Sequence, residues 1–366
     1  LDDPREAYKV RYPLDEILLL SLCAVLSGCE TFVDIAHYGE EKLEFLRTLS
    51  TFEHGIASHD TLCNVFRALD PEPFGRAFAS WSMCLKEQIG GKVVAIDGKT
   101  SRGSNETPLH MISTYCVELK TVLGQRPSAH KKNEIKDILE LLDMLYLKGA
   151  IVTLDAMGCQ RDIAAKIREK QADYVLALKG NQGTLYEDVK TWFEEREHEN
   201  HASYQTVDGH KGRIETRSYT QNDDIAWLKS RHPDWPDLTT IGRVIATREL
   251  GGKTTTQTRY FISSMSIEAT KFGDAIRAHW VLDVTFRDDD SRVRMDQAPA
   301  NLSIIKHAAM NYLKRAKNKK SLRVMRKIAG WNDEFLTTTH PVQSLRLPVG
   351  TALARTNRVI TMSFQK

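Results

Sequence analysis

Two short apolar runs in this chain each lead into a single aspartate: Val93-Val94-Ala95-Ile96-Asp97-Gly98-Lys99 and Ile151-Val152-Thr153-Leu154-Asp155-Ala156-Met157-Gly158. A β-branched-rich run of this length, closed by glycine or another small residue, reads as a fully buried strand. In an α/β sheet, ligands bind at the carboxyl edge of such strands. Each aspartate taken alone has an ordinary reading, because an Asp before a small residue often accepts backbone N–H groups in a turn or at a helix N-cap. The pair says more. Both follow the same kind of strand, and Lys99, Arg102 and Lys179, residues suited to a phosphodiester, lie just beyond these strands or a third one. Two such tips side by side could share a metal ion.

The spacing of apolar residues sets the order of elements around them. From about Pro13 to Ile89 apolar residues recur at helical spacing and no strand pattern intervenes, which predicts an all-helical N-terminal domain over residues 1–90, with DNA binding as its expected role. Ser58-His59-Asp60-Thr61 offers N-cap residues after a chain break at Gly55, a layout shared by a helix-turn-helix and by a plain helical bundle. After Gly90-Gly91, the segments Val93 to Asp97, Met111 to Val117 and Thr121 to Gly124 read as a three-stranded meander. A helix from Asn133 to Tyr146 follows, then strand Ile151 to Asp155, helix Arg161 to Lys170, strand Tyr174 to Leu178 and helix Leu185 to Glu197. Three antiparallel strands followed by strand-helix-strand-helix is the order of a ribonuclease H-like α/β domain with a mixed sheet, in which the first and fourth strands are neighbours. Short Thr-, Arg- and Gly-rich segments from about 199 to 264, among them Gly212 to Arg217 and Thr258 to Ser263, read as a β insertion into that domain. Helices over Ile267 to Trp280 and Ala300 to Arg315 complete a domain expected over residues 91–315, and 316–366 form a basic C-terminal segment with an atypical tail.

Bulk composition narrows the class. With 366 residues, 41% hydrophobic and 27% charged, the chain reads as a soluble globular protein of two or three domains. Its longest apolar stretch, Ile17 to Cys29, is interrupted by Ser21 and Ser27 and falls short of the roughly 20 residues that a membrane span needs, so no membrane partner is expected. No signal or transit pattern opens the chain, and Leu1 in place of an initiator methionine points to a trimmed or incomplete start. Cys23, Cys29, Cys63, Cys84, Cys116 and Cys159 are scattered without a C-x-x-C pair, which favours reduced thiols in a cytosolic protein over a zinc site. A net charge of +3 does not announce nucleic acid. Its distribution is more informative: Lys314, Arg315, Lys317, Lys319, Lys320, Arg323, Arg326 and Lys327 occur with no acid among them. Such a block is ordinarily a solvated face, but it supplies phosphate contacts if the active site handles DNA.

At this point the residues resemble a known group, the H-repeat-associated transposases of bacterial insertion sequences, which carry a DDE-type ribonuclease H-like domain. The likeness runs from about Pro4 to Leu336 and is carried by Tyr12 to Ile17, Ser58 to Thr61, Ala95-Ile96-Asp97-Gly98-Lys99-Thr100, Leu154 to Gln160, Leu178-Lys179-Gly180-Asn181-Gln182, Arg213-Ile214-Glu215-Thr216-Arg217 and Val281 to Phe286. The resemblance implies that Asp97 and Asp155 are the first two catalytic carboxylates and ligate Mg²⁺ or Mn²⁺. In that chemistry two ions about 3.5 to 4 Å apart bracket the scissile phosphate. It also implies double-stranded insertion-sequence ends as the partner, a homodimer on paired ends, and a bacterial cytoplasmic, nucleoid-associated setting. Lys99, Arg102, Lys179, Asn181, Gln182, Arg213 and Arg217, with Lys314 and Arg315 of the basic block, are the expected contacts to DNA.

The third carboxylate departs from the family pattern. Family members carry a Trp-x-Ile-Glu element after the insertion and then a second His-Trp that leads into Val-Leu-Asp-Val. Here His279-Trp280 runs straight into Val281-Leu282-Asp283, as though about eight residues between two His-Trp copies were gone. Eight residues of α-helix are roughly two turns plus an 80° rotation, so an acid can recover height without direction. Asp283 is the stand-in candidate, and Asp288, Asp289 and Asp290 are remoter ones. The tail from Thr337 to Lys366, free of acids, fits a frameshifted or read-through end. These features together point to a decayed copy of a transposase, with a non-catalytic transposon-end DNA-binding protein or inhibitor as the alternative and a stand-alone metal-dependent nuclease as a third reading.

Overall fold

The computed structural model describes residues 1–82, 86–100, 110–128, 133–199, 201–210, 212–285, 293, 295–316 and 320–338. The described chain ahead of the first strand is helical: α1 (Leu14–Leu26), α2 (Phe32–Glu41), α3 (Leu43–Arg47), α4 (His59–Ala68), α5 (Pro71–Ser82) and α6 (Lys86–Ile89). Local chemistry sets several of these boundaries. Helix α2 opens on a capping box, in which Thr31 Oγ1 accepts from Asp34 N at 3.1 Å and Asp34 Oδ2 accepts from Thr31 N at 3.0 Å. Helix α4 opens on Ser58, whose Oγ accepts from Thr61 N at 3.3 Å, as its N-cap pattern predicts. The buried Glu16 of α1 accepts from Phe52 N at 2.6 Å, which pins the loop between α3 and α4. That loop, residues 48–58, is longer than the three- or four-residue turn of a helix-turn-helix, and Phe66 of α4 packs on Phe32 of α2 with ring centroids 5.2 Å apart. Helix α4 thus packs on α2.

Among the described residues nine strands form one mixed sheet in the order β3-β2-β1-β4-β5-β9-β8-β7-β6. Its strands are β1 (Val93–Thr100), β2 (His110–Cys116), β3 (Thr121–Ser128), β4 (Ile151–Leu154), β5 (Asp173–Leu178), β6 (Ala202–His210), β7 (Arg213–Asn222), β8 (Thr240–Leu250) and β9 (Lys253–Ser263). Helices α7 (Glu134–Met144), α8 (Arg161–Glu169), α9 (Gly183–Glu195) and α10 (Ala226–Arg231) lie between them, and α11 (Ala269–Thr285), α12 (Ala298–Arg315), α13 (Leu322–Trp331) and α14 (Asp333–Thr338) come after the last strand. Strand β1 pairs antiparallel with β2 and parallel with β4, so the first and fourth strands are neighbours as the order of elements predicts. Side chains alternate across a strand, and the two faces build two cores. Val94, Ile96, Val152 and Leu154 pack with Ile138 of α7, Ile163 of α8 and Val189 of α9. On the opposite face Val93, Ala95 and Ile151 share a core with Phe272 and Ile276 of α11, Leu302 of α12 and the N-terminal helices.

Helix α12 ties these parts together through buried amides. Asn301 Nδ2 donates to the carbonyls of Phe66 (2.9 Å) and Leu69 (2.7 Å) at the end of α4. Asn311 accepts from Val122 N and donates to Val122 O, both at 2.8 Å, and so completes the outer edge of β3. At the other side the sheet simply continues. Residues 202–263 extend it by four strands, and Tyr260, Phe261 and Ile262 of β9 return beside Leu178, Ala177 and Leu176 of β5. Strands β8 and β9 meet at Gly251-Gly252, with φ of +57° and +76°, a two-residue turn in the left-handed conformation that only glycine adopts cheaply. These strands are longer than the Thr258 to Ser263 segment read from the sequence, because the Gly-Gly hairpin signal outweighs the polar, Thr-rich composition around it.

Candidate active site

Strand β1 does not stop at Asp97, as the sequence pattern suggests. It continues to Thr100 with β2 as partner, from Asp97 opposite Ser113 to Thr100 opposite His110, whereas β4 ends at Leu154 opposite Ile96. The strands therefore part just where the two aspartates begin. By the two-residue alternation that puts Val93, Ala95 and Ile151 in the α11-side core, Asp97 falls on the α11 face, and Asp155 comes next on the same side. The last paired positions, Ile96 and Leu154, sit on adjacent strands about 4.8 Å apart, and Asp97 and Asp155 each come next after them at the carboxyl edge. Asp97 is half-buried and Asp155 is exposed.

The carboxylate of Asp155 is oriented by its own loop. Its Oδ1 accepts from Met157 N at 3.0 Å and Gly158 N at 3.3 Å, the ordinary turn role of an aspartate, while Oδ2 accepts no hydrogen bond among the described residues. That loop is itself held: Asn181 Nδ2 donates to Ala156 O and Gln182 Nε2 to Cys159 O, each at 2.7 Å. The amides that the sequence assigns to DNA thus brace the Asp155 loop, a role that adjacency to Lys179 in the sequence does not reveal. Lys179 is exposed at the end of β5 and makes no ion pair among the described residues. Burial pushes the Cys159 thiol up to about 12, which rules it out as a nucleophile near neutral pH.

On the opposite face, Gly98 leaves room for two buried side chains. A Cβ at this position would lie 2.5 Å from Glu134 Oε1 and 2.8 Å from His110 Nε2, and these two residues approach to 3.4 Å. The glycine after Asp97 therefore serves close packing within a strand and does not end it.

The remaining candidates are spread more widely. Position 99 lies on β1 two residues past Asp97, and Arg102 lies outside the described residues, as do Asp288, Asp289 and Asp290. Position 283 is in the last turn of α11, a helix that packs on β1 and β4. Arg213 and Arg217 sit on β7, both bonded to Glu215, and Arg217 also reaches Asp208 at 2.8 Å. Lys314 of α12 is half-buried, with Nζ donating to Tyr115 Oη at 3.1 Å and lying 4.9 Å from the ring centroid. Burial, and then Lys120, pulls its ammonium down to about 8. Position 315 is the last residue of that helix. Among the described residues the structure thus gathers Asp97, Asp155, Lys179, Asn181 and Gln182 at one edge, and places Arg213, Arg217 and Lys314 elsewhere.

Residues 88–328, which contain this edge and the sheet, match the family described as "Transposase DDE domain", and residues 1–82 match one described as "DDE_Tnp_1-associated". The chain belongs to the DDE transposase family. It is 37% identical over 350 residues to "H repeat-associated putative transposase YhhI" of Escherichia coli (strain K12), covering 90% of this chain and 93% of that protein. Identity is also 37% over 336 residues to "Putative transposase YncI" of Escherichia coli O157:H7, covering 87% and 86%. A 63-residue stretch, 17% of this chain and 75% of the relative, is 49% identical to "Inactive transposase YbfQ" of Escherichia coli (strain K12). A DDE transposase domain has a ribonuclease H-like fold, and the β3-β2-β1-β4-β5 part of the sheet has that strand order. Domains of this family depend on divalent metal ions. Asp97 and Asp155 suit such an ion, since hard cations take carboxylate oxygens and Asp155 Oδ2 is not claimed by its loop. Among the described residues no group of three or more acids, histidines or cysteines completes the set. No helix of the described residues is long and apolar enough to cross a membrane.

Proposed function

We propose that this chain is an insertion-sequence DDE transposase by descent, with Asp97 and Asp155 as its catalytic pair and a weakened third position. The observation that supports this reading is that each acid directly follows one of the last paired residues, Ile96 and Leu154, of two neighbouring parallel strands on which α11 packs. The substrate is double-stranded DNA at transposon ends, bound by a homodimer beside the bacterial nucleoid. Asp97 and Asp155 hold Mg²⁺ or Mn²⁺, which when bound supplies charge neutralisation at the phosphate and activates the attacking hydroxyl. Around it the chain's own groups position the reaction: the Met157 and Gly158 amides aim the Asp155 carboxylate, Asn181 and Gln182 fix its loop, and Lys179 presents a cation to the backbone. Asp283 is the stand-in for the missing glutamate, and with a shorter side chain and a changed helix length it supports weak cleavage.

Nicking of supercoiled plasmid in Mg²⁺ or Mn²⁺ tests the reading. Weak activity lost in both Asp97→Asn and Asp155→Asn supports it, and activity untouched by either change refutes it. The loss of the Trp-x-Ile-Glu segment favours a second reading, a non-catalytic protein that occupies transposon ends. Its signature is end binding that survives EDTA and the double Asp97→Asn, Asp155→Asn change.

A further inference from the structure

We infer that the outer part of the β6–β9 sheet is a DNA-backbone wall, and that Arg248, Lys253 and Arg259 of its β8–β9 hairpin hold the duplex that flanks the cleavage point. The inference rests on the transposase reading above and extends its DNA contacts to three residues that the sequence pattern did not single out.

Topology sets the position of the wall. Strand β5 ends at Leu178 opposite Tyr260, so Lys253–Arg259 of β9 run on past the carboxyl edge where Asp97 and Asp155 lie. At about 3.3 Å per residue this stretch reaches roughly 20 Å beyond that edge. Strand β9 is two strands from β4, about 10 Å away in the sheet. A duplex presented to the two aspartates would meet the hairpin.

Register then assigns the faces. Tyr219 is buried in the α11-side core, and Arg213, Glu215 and Arg217 share its face by alternation. Glu215 stands opposite Arg248, Arg213 opposite Leu250, Leu250 opposite Lys253 and Val244 opposite Arg259, so all of these lie on the α11 side. This is the face that carries Asp97 and Asp155. The cations there outnumber the acids, and Asp208 and Glu215 are already bonded to arginines. In the outer part of these strands the reverse face is built from Ile214, Thr216, Thr247, Thr254 and Thr256 with the acid Glu249, and Arg243, further in on that face, is buried against the ring of Phe193. Arg248, Lys253 and Arg259 are exposed. A one-sided row of exposed cations beside a phosphodiester site suits the backbone of duplex DNA, which is read through charge and not base sequence.

The test is binding of the full chain to a 40-base-pair duplex of arbitrary sequence in EDTA, measured across salt concentrations by fluorescence anisotropy. Each lost phosphate contact removes about 0.9 from the slope of log affinity against log salt. Arg248→Gln, Lys253→Gln and Arg259→Gln together are expected to flatten the slope by about 2 to 3 and weaken binding at low salt, with an unchanged far-UV dichroism spectrum and melting transition. The reverse-face control Thr247→Gln with Thr256→Gln is expected to leave the slope as it was. An unchanged slope in the triple variant, or an equal loss in the control, overturns the inference. Because EDTA removes the metal, these outcomes are separate from the nicking assay: binding without cleavage leaves the wall standing while the catalytic reading falls.

Discussion

At the scale of single residues, the site depends on groups that hold an acid in place. Asp155 lies past the end of its strand, and its loop is anchored by Asn181 and Gln182 from the turn after β5. Asn181→Ala removes the 2.7 Å bond to the Ala156 carbonyl, and a ligand whose support is lost binds metal more weakly, typically by about 10- to 100-fold. Calorimetric titration with Mn²⁺ is expected to show at least about a tenfold rise in Kd against the parent protein. An unchanged Kd would show that the loop holds Asp155 without this amide. Lys314 offers a second residue-scale prediction. Its ordinary value of 10.5 is pulled down to about 8 in the folded state, so between these pH values the unfolded chain binds more protons and stability rises with pH. Below pH 8 the cost of burying the ammonium is present in full. Lys314→Met is expected to raise the urea midpoint at pH 7 and to lose this group's contribution to the rise between pH 8 and 10.5; a lower midpoint at pH 7 would mean that the contact with Tyr115 outweighs burial.

At the scale of elements, packing decides what local pattern leaves open. Gly242 of β8 lies under the ring of Phe272, the α11 residue that packs edge-on to Phe261, and a Cβ there would come within 2.1 Å of Cζ. Gly242→Ala is therefore expected to destabilise the protein by about 1–3 kcal/mol by overpacking, measured by urea unfolding, and Phe272→Leu in the same chain should recover part of the loss. Full stability in the single variant would show that α11 can shift freely on the sheet. The buried strands β1, β4 and β5 were legible because uninterrupted Val/Ile/Leu runs have few other homes, and the helical periods of α7 and α8 were clear. Three features were not legible, for physical reasons. Strand β1 continues through Asp97-Gly98 because Gly98 is demanded by His110 and Glu134, residues distant in sequence. The β8–β9 hairpin is polar on its exposed half and lacks a strand-like apolar alternation there. The Asn181 and Gln182 contacts are tertiary, and nothing in a Lys-Gly-Asn-Gln string distinguishes a loop brace from a DNA contact.

At the scale of the whole molecule, the α11 face of the sheet is where the parts meet. Helices α1, α2, α4 and α5 share one core with α11, α12 and β1, and Lys42–Asp333 (2.8 Å), Arg67–Asp296 (2.7 Å) and Arg326–Glu30 (3.2 Å) link the N-terminal helices to the segments after the sheet. A change in the length of α11 is therefore expected to act at the carboxyl edge of β1 and β4 and at the N-terminal helices together. The proposed loss of a segment from this helix is thereby testable by restoration. Inserting about eight residues that carry Trp-x-Ile-Glu between Trp280 and Val281 would lengthen the helix by roughly two turns and rotate the residues downstream of it by about 80°. If Asp97 and Asp155 lack only their third partner, the restored chain should gain Mg²⁺-dependent nicking, and the same insert with Gln in place of its Glu should not. A gain in both inserts would show that helix length alone had misplaced Asp283, since the only acid common to that position is then the chain's own. No gain in either, with melting and DNA binding intact, would place the defect outside α11 and remove the decayed third position as the explanation of weak cleavage.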